Sequence, residues 1–417
     1  MSPHVLRAAA LAAALAATLW PAARAAAAPL SLDQAIDLAV QRSQSVRSAR
    51  ASAHGAAEMA RAAGQQPDPM LFGGIDNLPA SGPNRFSTGA EDMTMKRAGI
   101  SQEWIAADKR AAREAVAHAM AEREAAGERM AAAEARLQTA MAFIDAYYAG
   151  EAAKLASLNE KHAREDLAAG KGRQAAAAGS SAEVLGLTGA LGSAEDASAD
   201  LRQQQAAAAA GLQRWTGASV DELAMPPLAL ADAPGQDDFV AGHPVVVARQ
   251  RDIEVARQEL EVARLNRRPN WTYELSYGQR QGRPDMVSFS VSIPLPVAPA
   301  SRQDRERAAR MALLDKAQAE LEEARRAAAG EYAALSGDAV RLQARIQRYE
   351  SSVIEPLGQR TVAALAAYRA NQAGLAMVFE SRHAELEARR KLLDLQRDLA
   401  KARAQLVFKP IVQGAAQ

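Results

Sequence analysis

From Val287 onward the chain alternates without a break. Val287, Phe289, Val291, Ile293, Leu295 and Val297 are interleaved with Ser288, Ser290, Ser292, Pro294 and Pro296. A period of two gives a β-strand one apolar face and one small face. Just upstream, Trp271, Tyr273, Leu275 and Tyr277 alternate with Thr272, Glu274 and Ser276, and the polar connection from Gly278 to Asp285 contains Gly282 and Pro284. Two such runs joined by a turn-rich segment predict a β-hairpin. Fainter strand signals at about 69–78 and 93–105 flank a Gly/Pro/Asn-rich loop at 79–89 and predict a second hairpin.

Helical patterning surrounds both hairpins in the same order. The first copy, 30–224, begins at Leu30-Ser31-Leu32-Asp33-Gln34-Ala35, where Ser31 or Asp33 can cap a helix running to about Gly64. Its hairpin is followed by nearly continuous helical composition from Ala106 to about Ala169, and by a return helix from Ala182 to Trp215 that is rich in Ala and Gln. The second copy, 237–408, runs as helix through Ile253, Ala256, Leu260 and Ala263 to about Arg268, gives the hairpin, and resumes helix near Ser301. A Pro-rich stretch, 225–236, links the copies, and 409–417 forms a tail. At ~1.5 Å per residue, the 106–169 helix alone reaches on the order of 95 Å, too long for a compact domain. In the last helix Leu392, Leu399 and Leu406 recur every seven residues with Leu395 between them, the spacing of a coiled coil. The predicted fold class is mainly α, a long helical coiled-coil assembly carrying four β-strands.

Composition sharpens this picture. Aromatics are 4% of 417 residues, so a large aromatic-filled core is not expected, whereas the abundant alanine suits thin, closely packed helices. Residues 1–25 read as an export signal: Arg7, an apolar run from Ala8 to Leu19, and the small-x-small site Ala23-Arg24-Ala25. Their removal takes Arg7 and Arg24, so Lys plus Arg falls from 50 to 48 against 49 acids, a net charge of about −1. No later window is long and apolar enough for a membrane helix, so a membrane-embedded chain must cross as strands.

The absence of cysteine excludes disulfides, thiolate metal sites, cysteine nucleophiles and a lipid-modified N-terminal cysteine. Arginines interleave with glutamates and do not cluster beside aromatics, so no nucleic-acid partner is expected. The histidines, at positions 4, 54, 118, 162, 243 and 383, have no metal-ligand spacing. Met93 and Met95, read as one face of a strand, could touch a soft ion but are better explained as packing residues. Gly170-Lys171-Gly172 lacks the spacing of a phosphate loop, and no nucleophile elbow or carboxylate pair is evident. No enzyme, cofactor or resident metal is predicted.

The start Leu32-Asp33-Gln34-Ala35-Ile36, the duplicated helix–hairpin–helix order and the stretch Tyr368 to Arg382 together resemble the TolC family of outer-membrane efflux proteins. Gly74-Ile75-Asp76-Asn77-Leu78-Pro79, Ser81-Gly82-Pro83, Phe86, Met93 to Arg97 and Gly99 to Glu103 are most similar to its heavy-metal, CzcC-like branch. The resemblance implies a homotrimer in the outer membrane of a Gram-negative bacterium, with a twelve-stranded barrel in lipid and a helical tunnel in the periplasm. It also implies a periplasmic adaptor (membrane fusion) protein and an inner-membrane resistance-nodulation-division pump as partners. Strand count agrees, because four strands cannot enclose a conduit whereas twelve can, with every edge paired.

On that reading Trp271, Tyr273, Leu275, Tyr277, Val287, Phe289, Val291 and Ile293 face lipid. Matching the family's tip places Glu380 at a gate or selectivity position, where three copies form an acidic ring. Adaptor contacts are expected at Asn371, Gln372, Ala373, Gly374 and Leu375, and at Lys171 and Gly172 on the other tip. The implied function is passive export of heavy-metal cations; drug efflux or type I protein secretion would use the same fold. A periplasmic coiled-coil scaffold that never inserts is the rival of a different class.

Overall fold

The computed structural model describes residues 29–219, 222–226, 233–370 and 372–411. The expected export signal lies outside these residues, as do Asn371 and parts of the linker and tail. Helix α1 (Leu32–Arg42) starts at a capping box in which Ser31 and Gln34 satisfy each other's backbone N–H groups. It buries Leu32, Ala35, Ile36 and Ala39, one face at helical spacing. The chain then breaks at Ser43, whose Oγ caps α2 (Gln44–Ala63) by accepting from the Val46 N–H. The second half repeats this break by other means: α5 (Gln236–Gly242) ends at His243, held extended by the following Pro244, where α6 (Pro244–Leu265) begins. Each expected single helix is therefore two, and Pro244 was the sequence signal for one of the breaks.

Helix α3 (Ala107–Ala175) has 69 residues, about 100 Å. Ala112, Ala119, Ala126, Ala133 and Ala140 are all buried. This strict seven-residue series gives α3 a narrow alanine seam along which neighbouring helices approach closely. The return helix α4 (Ser181–Thr216) answers with buried Leu187, Ala194 and Leu201, again seven apart. Helix α7 (Gln303–Tyr349) continues through a π-helical turn, Glu350–Ile354, into α8 (Glu355–Arg369). A proline inside a helical run ordinarily ends the helix, and Pro356 would be expected to end this one. It does not, because the wider turn lies across the Ser352 carbonyl that the proline can neither bond nor approach. Helix α9 (Leu375–Phe408) buries Leu395, Leu399 and Leu406, with Leu392 half-buried.

The four strands β1 (Met70–Asp76), β2 (Met95–Trp104), β3 (Trp271–Arg280) and β4 (Met286–Ser292) form one antiparallel sheet in chain order, so the two hairpins join through β2 and β3. Two boundaries differ from expectation. β4 stops at Ser292 because Pro294 and Pro296 have no N–H for the ladder, which leaves Ile293, Leu295 and Val297 exposed beyond it. β2 starts only at Met95; Met93 lies in the preceding loop and shares no strand face with Met95. At mid-length Leu32, Ile36, Phe143, Ile144, Leu212 and Ala404 form the largest core, tying α1, α3, α4 and α9 together.

Candidate conduit: the two sheet faces and the helical tips

Strand register sorts the sheet into two chemistries. Leu71 pairs with Ile100, Ile100 with Leu275 and Leu275 with Phe289, while Trp104 pairs with Trp271, Tyr273 with Val291 and Tyr277 with Val287. This puts all of them on one face. The opposite face carries Asp76, Arg97, Gly99, Ser101, Glu274, Ser276, Ser288 and Ser290. In the central strands the polar face is the enclosed one: Ser276 is 3% and Ser101 9% exposed, against 56% for Leu275 and 49% for Tyr277. A sheet folded against water would show the reverse. The outer edges of β1 and β4 have no strand partner among the described residues.

On the polar face the Arg97 guanidinium reaches Glu274 at 3.1 Å and Asp76 at 3.6 Å, and lies 5.0 Å from the centre of the Phe72 ring. Gly99 makes that stacking possible: a Cβ there would come 2.6 Å from the Phe72 ring and 2.5 Å from the Leu275 carbonyl.

Side chains clamp the passage from strands to helices. The Gln66 amide donates to the Ile105 carbonyl and accepts from the Ile105 N–H, both at 3.0 Å. Lys109, at the start of α3, donates from buried Nζ to the Arg268 carbonyl and, at 2.8 Å, to Asn270 Oδ1; Asn270 in turn donates to Glu103 at 2.8 Å. Burial, reinforced by Arg113 and Arg268, pushes the Lys109 pKa down. The clamp joins β2 to the end of α6, which fixes how the helices leave the sheet.

At the far end the two helical hairpins pack on each other. Leu167, Leu187, Ala364, Leu375 and Val378 form a small core there. Leu375, expected on the tip surface, is 2% exposed and serves this core instead. Gln372 and Gly374 are exposed and Ala373 half-buried. Lys171 and Gly172 are exposed but sit in the last turns of α3, which runs six residues past Ala169, so that the reversal falls at 176–180. There the Ala178 N–H reaches the Arg173 carbonyl and the Ala177 N–H the Gln174 carbonyl, with Ala177 in the left-handed region at φ 55°.

Glu380 is exposed on α9 and makes no ion pair with another described residue. Two residues further along α9, on the opposite side of the helix, is an arrangement that sequence reasoning missed. Arg382 on α9 donates to Asp166 on α3 at 2.7 Å, with Asp166 only 8% exposed. Burial pushes the Asp166 carboxyl pKa up, and Arg382 partly offsets it. The pair spans 216 residues and has no local signature.

No protein-family model matches the chain, and no characterised protein matches it in sequence. Solved structures do match. The structure of CusC, described in terms of transmembrane channel formation, is 14% identical and covers 92% of this chain and 93% of its own, with a TM-score of 0.75. The outer membrane protein VceC of Vibrio cholerae is 17% identical over 91% of this chain and 96% of its own, with a TM-score of 0.73. The outer membrane channel CmeC of Campylobacter jejuni is 13% identical over 91% and 85%, with a TM-score of 0.76. The chain therefore has the TolC-like outer-membrane channel fold: long helices in coiled-coil packing with a small four-stranded sheet.

Proposed function

We propose that this chain is the outer-membrane channel of a tripartite, resistance-nodulation-division type efflux system, a passive trimeric conduit from periplasm to exterior. The observation that carries the reading is the inverted pattern of the central strands, with Ser101 and Ser276 enclosed while Leu275, Tyr277, Trp104 and Trp271 are displayed. Ten-residue β2 and β3 suit the roughly 9–11 residues of a tilted membrane strand. Three copies would pair each free β1 edge with a free β4 edge, close twelve strands and turn the apolar face to lipid. On this reading Trp271, Tyr273, Leu275, Tyr277, Val287, Phe289 and Val291 meet lipid, joined by Ile293 just beyond β4.

The helices would continue as a periplasmic tunnel. A periplasmic adaptor would dock at the exposed tip residues Gln372 and Gly374 with half-buried Ala373, at Asn371, and at exposed Lys171 and Gly172, with energy supplied by the inner-membrane pump. Glu380 would line the constriction as a ring of three carboxylates favouring cations. An outward rotation of α9 away from α3 would break the Asp166–Arg382 pair, which on this reading holds the tip at rest. The cargo we assign is heavy-metal cations, supported by the resemblance of the 74–103 segment to the CzcC-like branch.

Membrane fractionation tests the channel directly. The protein should resist carbonate extraction and run as a heat-modifiable trimer; release by carbonate as a monomer would instead favour a periplasmic scaffold. For the cargo, deletion of the gene should sensitise cells to Zn, Co, Cd, Ni, Cu or Ag salts. Sensitivity confined to a drug panel would reassign the cargo.

A further inference from the structure

Every ionisable side chain on the enclosed face of the sheet has a consequence for what passes over it, and one stands in an unusual position. Arg97 is bracketed by carboxylates on both neighbouring strands, Asp76 on β1 and Glu274 on β3, and stacks on Phe72. Phe72 can reach over Gly99 because that residue has no Cβ to meet its ring. The guanidinium is therefore held on three sides and acts as a fixed charge.

We propose that Arg97 is a selectivity-setting residue of the conduit, a built-in cation that occupies the place between Asp76 and Glu274 which a permeating cation would otherwise take. The inference rests on the trimeric-barrel reading. In that arrangement the three copies of Arg97 and twice as many Asp76 and Glu274 carboxylates surround one lumen. Without Arg97 the carboxylates would form a strong cation-binding band at the exit, and a divalent ion drawn into it would leave slowly. A conduit requires binding weak enough for release. Arg97 halves the net negative charge of the band, which weakens cation binding there enough for a permeating ion to leave. Arg280 and Glu103, the other charged residues on this face, are engaged locally: Arg280 donates to the Pro284 carbonyl and Glu103 accepts from Asn270.

The test is planar-bilayer recording from purified trimers in a salt gradient, with and without added Cd²⁺. Arg97→Gln should raise the cation-to-anion permeability ratio on the order of threefold or more, and Cd²⁺ should block it at concentrations that leave the wild type conducting. The double variant Asp76→Asn, Glu274→Gln retains the guanidinium and should shift the ratio toward anions, which keeps the proposal testable if Arg97→Gln does not assemble. Conducting variants with wild-type reversal potential and no Cd²⁺ block overturn the role of Arg97 alone. Wild-type protein that forms no channel overturns the barrel reading and this inference with it.

Discussion

Ala177 shows how a single backbone angle leaves a measurable mark. It ends α3 in the left-handed region, where a Cβ crowds the following carbonyl and glycine is the usual occupant. Ala177→Gly should therefore stabilise the hairpin by about 1 kcal/mol, read as a raised thermal midpoint; an unchanged or lower midpoint would show that the turn is not strained. Gly170 presents the opposite case. A Cβ there would sit 2.6 Å from Leu187 Cδ1, so the helices touch where glycine permits it. Gly170→Val should cost about 1–3 kcal/mol by overpacking, whereas the same change at Gly172, with open space around it, should lack that clash. Comparing the two by thermal unfolding isolates the close approach from helix propensity. Neither residue advertises its situation in the sequence, since both lie in an unremarkable Ala/Gly-rich stretch.

Between elements, two ion-pair clusters join distant parts of the chain. Arg382→Ala would leave Asp166 buried without its partner, and a broken buried pair costs about 3–5 kcal/mol. The variant should melt earlier and conduct more in bilayers, while Asp166→Asn, which removes the charge and keeps the shape, should raise conductance at a smaller cost in stability. Wild-type conductance in both would remove the pair from the gate. The second cluster is at the α5–α6 break, where buried His243 meets Glu331 at 3.3 Å and Glu331 also pairs with Lys409 ahead of the C-terminal segment. Burial lowers the His243 pKa, with Lys409 acting in the same sense and Glu331 opposing. A lowered histidine pKa means that the unfolded chain binds the proton more readily. The stability contributed is then fully present above the ordinary histidine value of about 6.5 and is lost as pH falls through the folded value. Melting scans from pH 7.5 down to 5 should show this loss in the wild type and a shallower slope in His243→Gln; equal slopes would assign the acid sensitivity to other groups.

For the whole molecule, the interplay of patterns explains which features could be read in advance. The alternation in 271–277 and 287–297 predicted strands, the second of which ends early at Ser292, and register then aligned Leu275 with Phe289 and Tyr277 with Val287 on a common face. The heptads of α9 were visible as leucines, whereas the longer buried series in α3 is built of alanine, too common in this chain to stand out. Replacing Ala126 or Ala133 by Leu should disrupt that seam and lower the thermal midpoint, while Leu at exposed Ala111 should not. Helix ends were less legible: α3 outruns its expected end, and Pro356 passes through a π turn without ending its helix. At Pro356 it is the wider turn rather than packing that lets the helix continue, since no residue of that turn is buried.

Element type and order were determined by the sequence alone, because a period of two or seven is a property of local backbone geometry and survives without any partner. Only the tertiary structure decided which charges meet, as with Asp166 and Arg382 or Arg97 between Asp76 and Glu274, and which face of the sheet is enclosed. Those outcomes depend on register and on contacts between segments far apart in the chain, where side chains of ordinary type acquire their roles from what surrounds them.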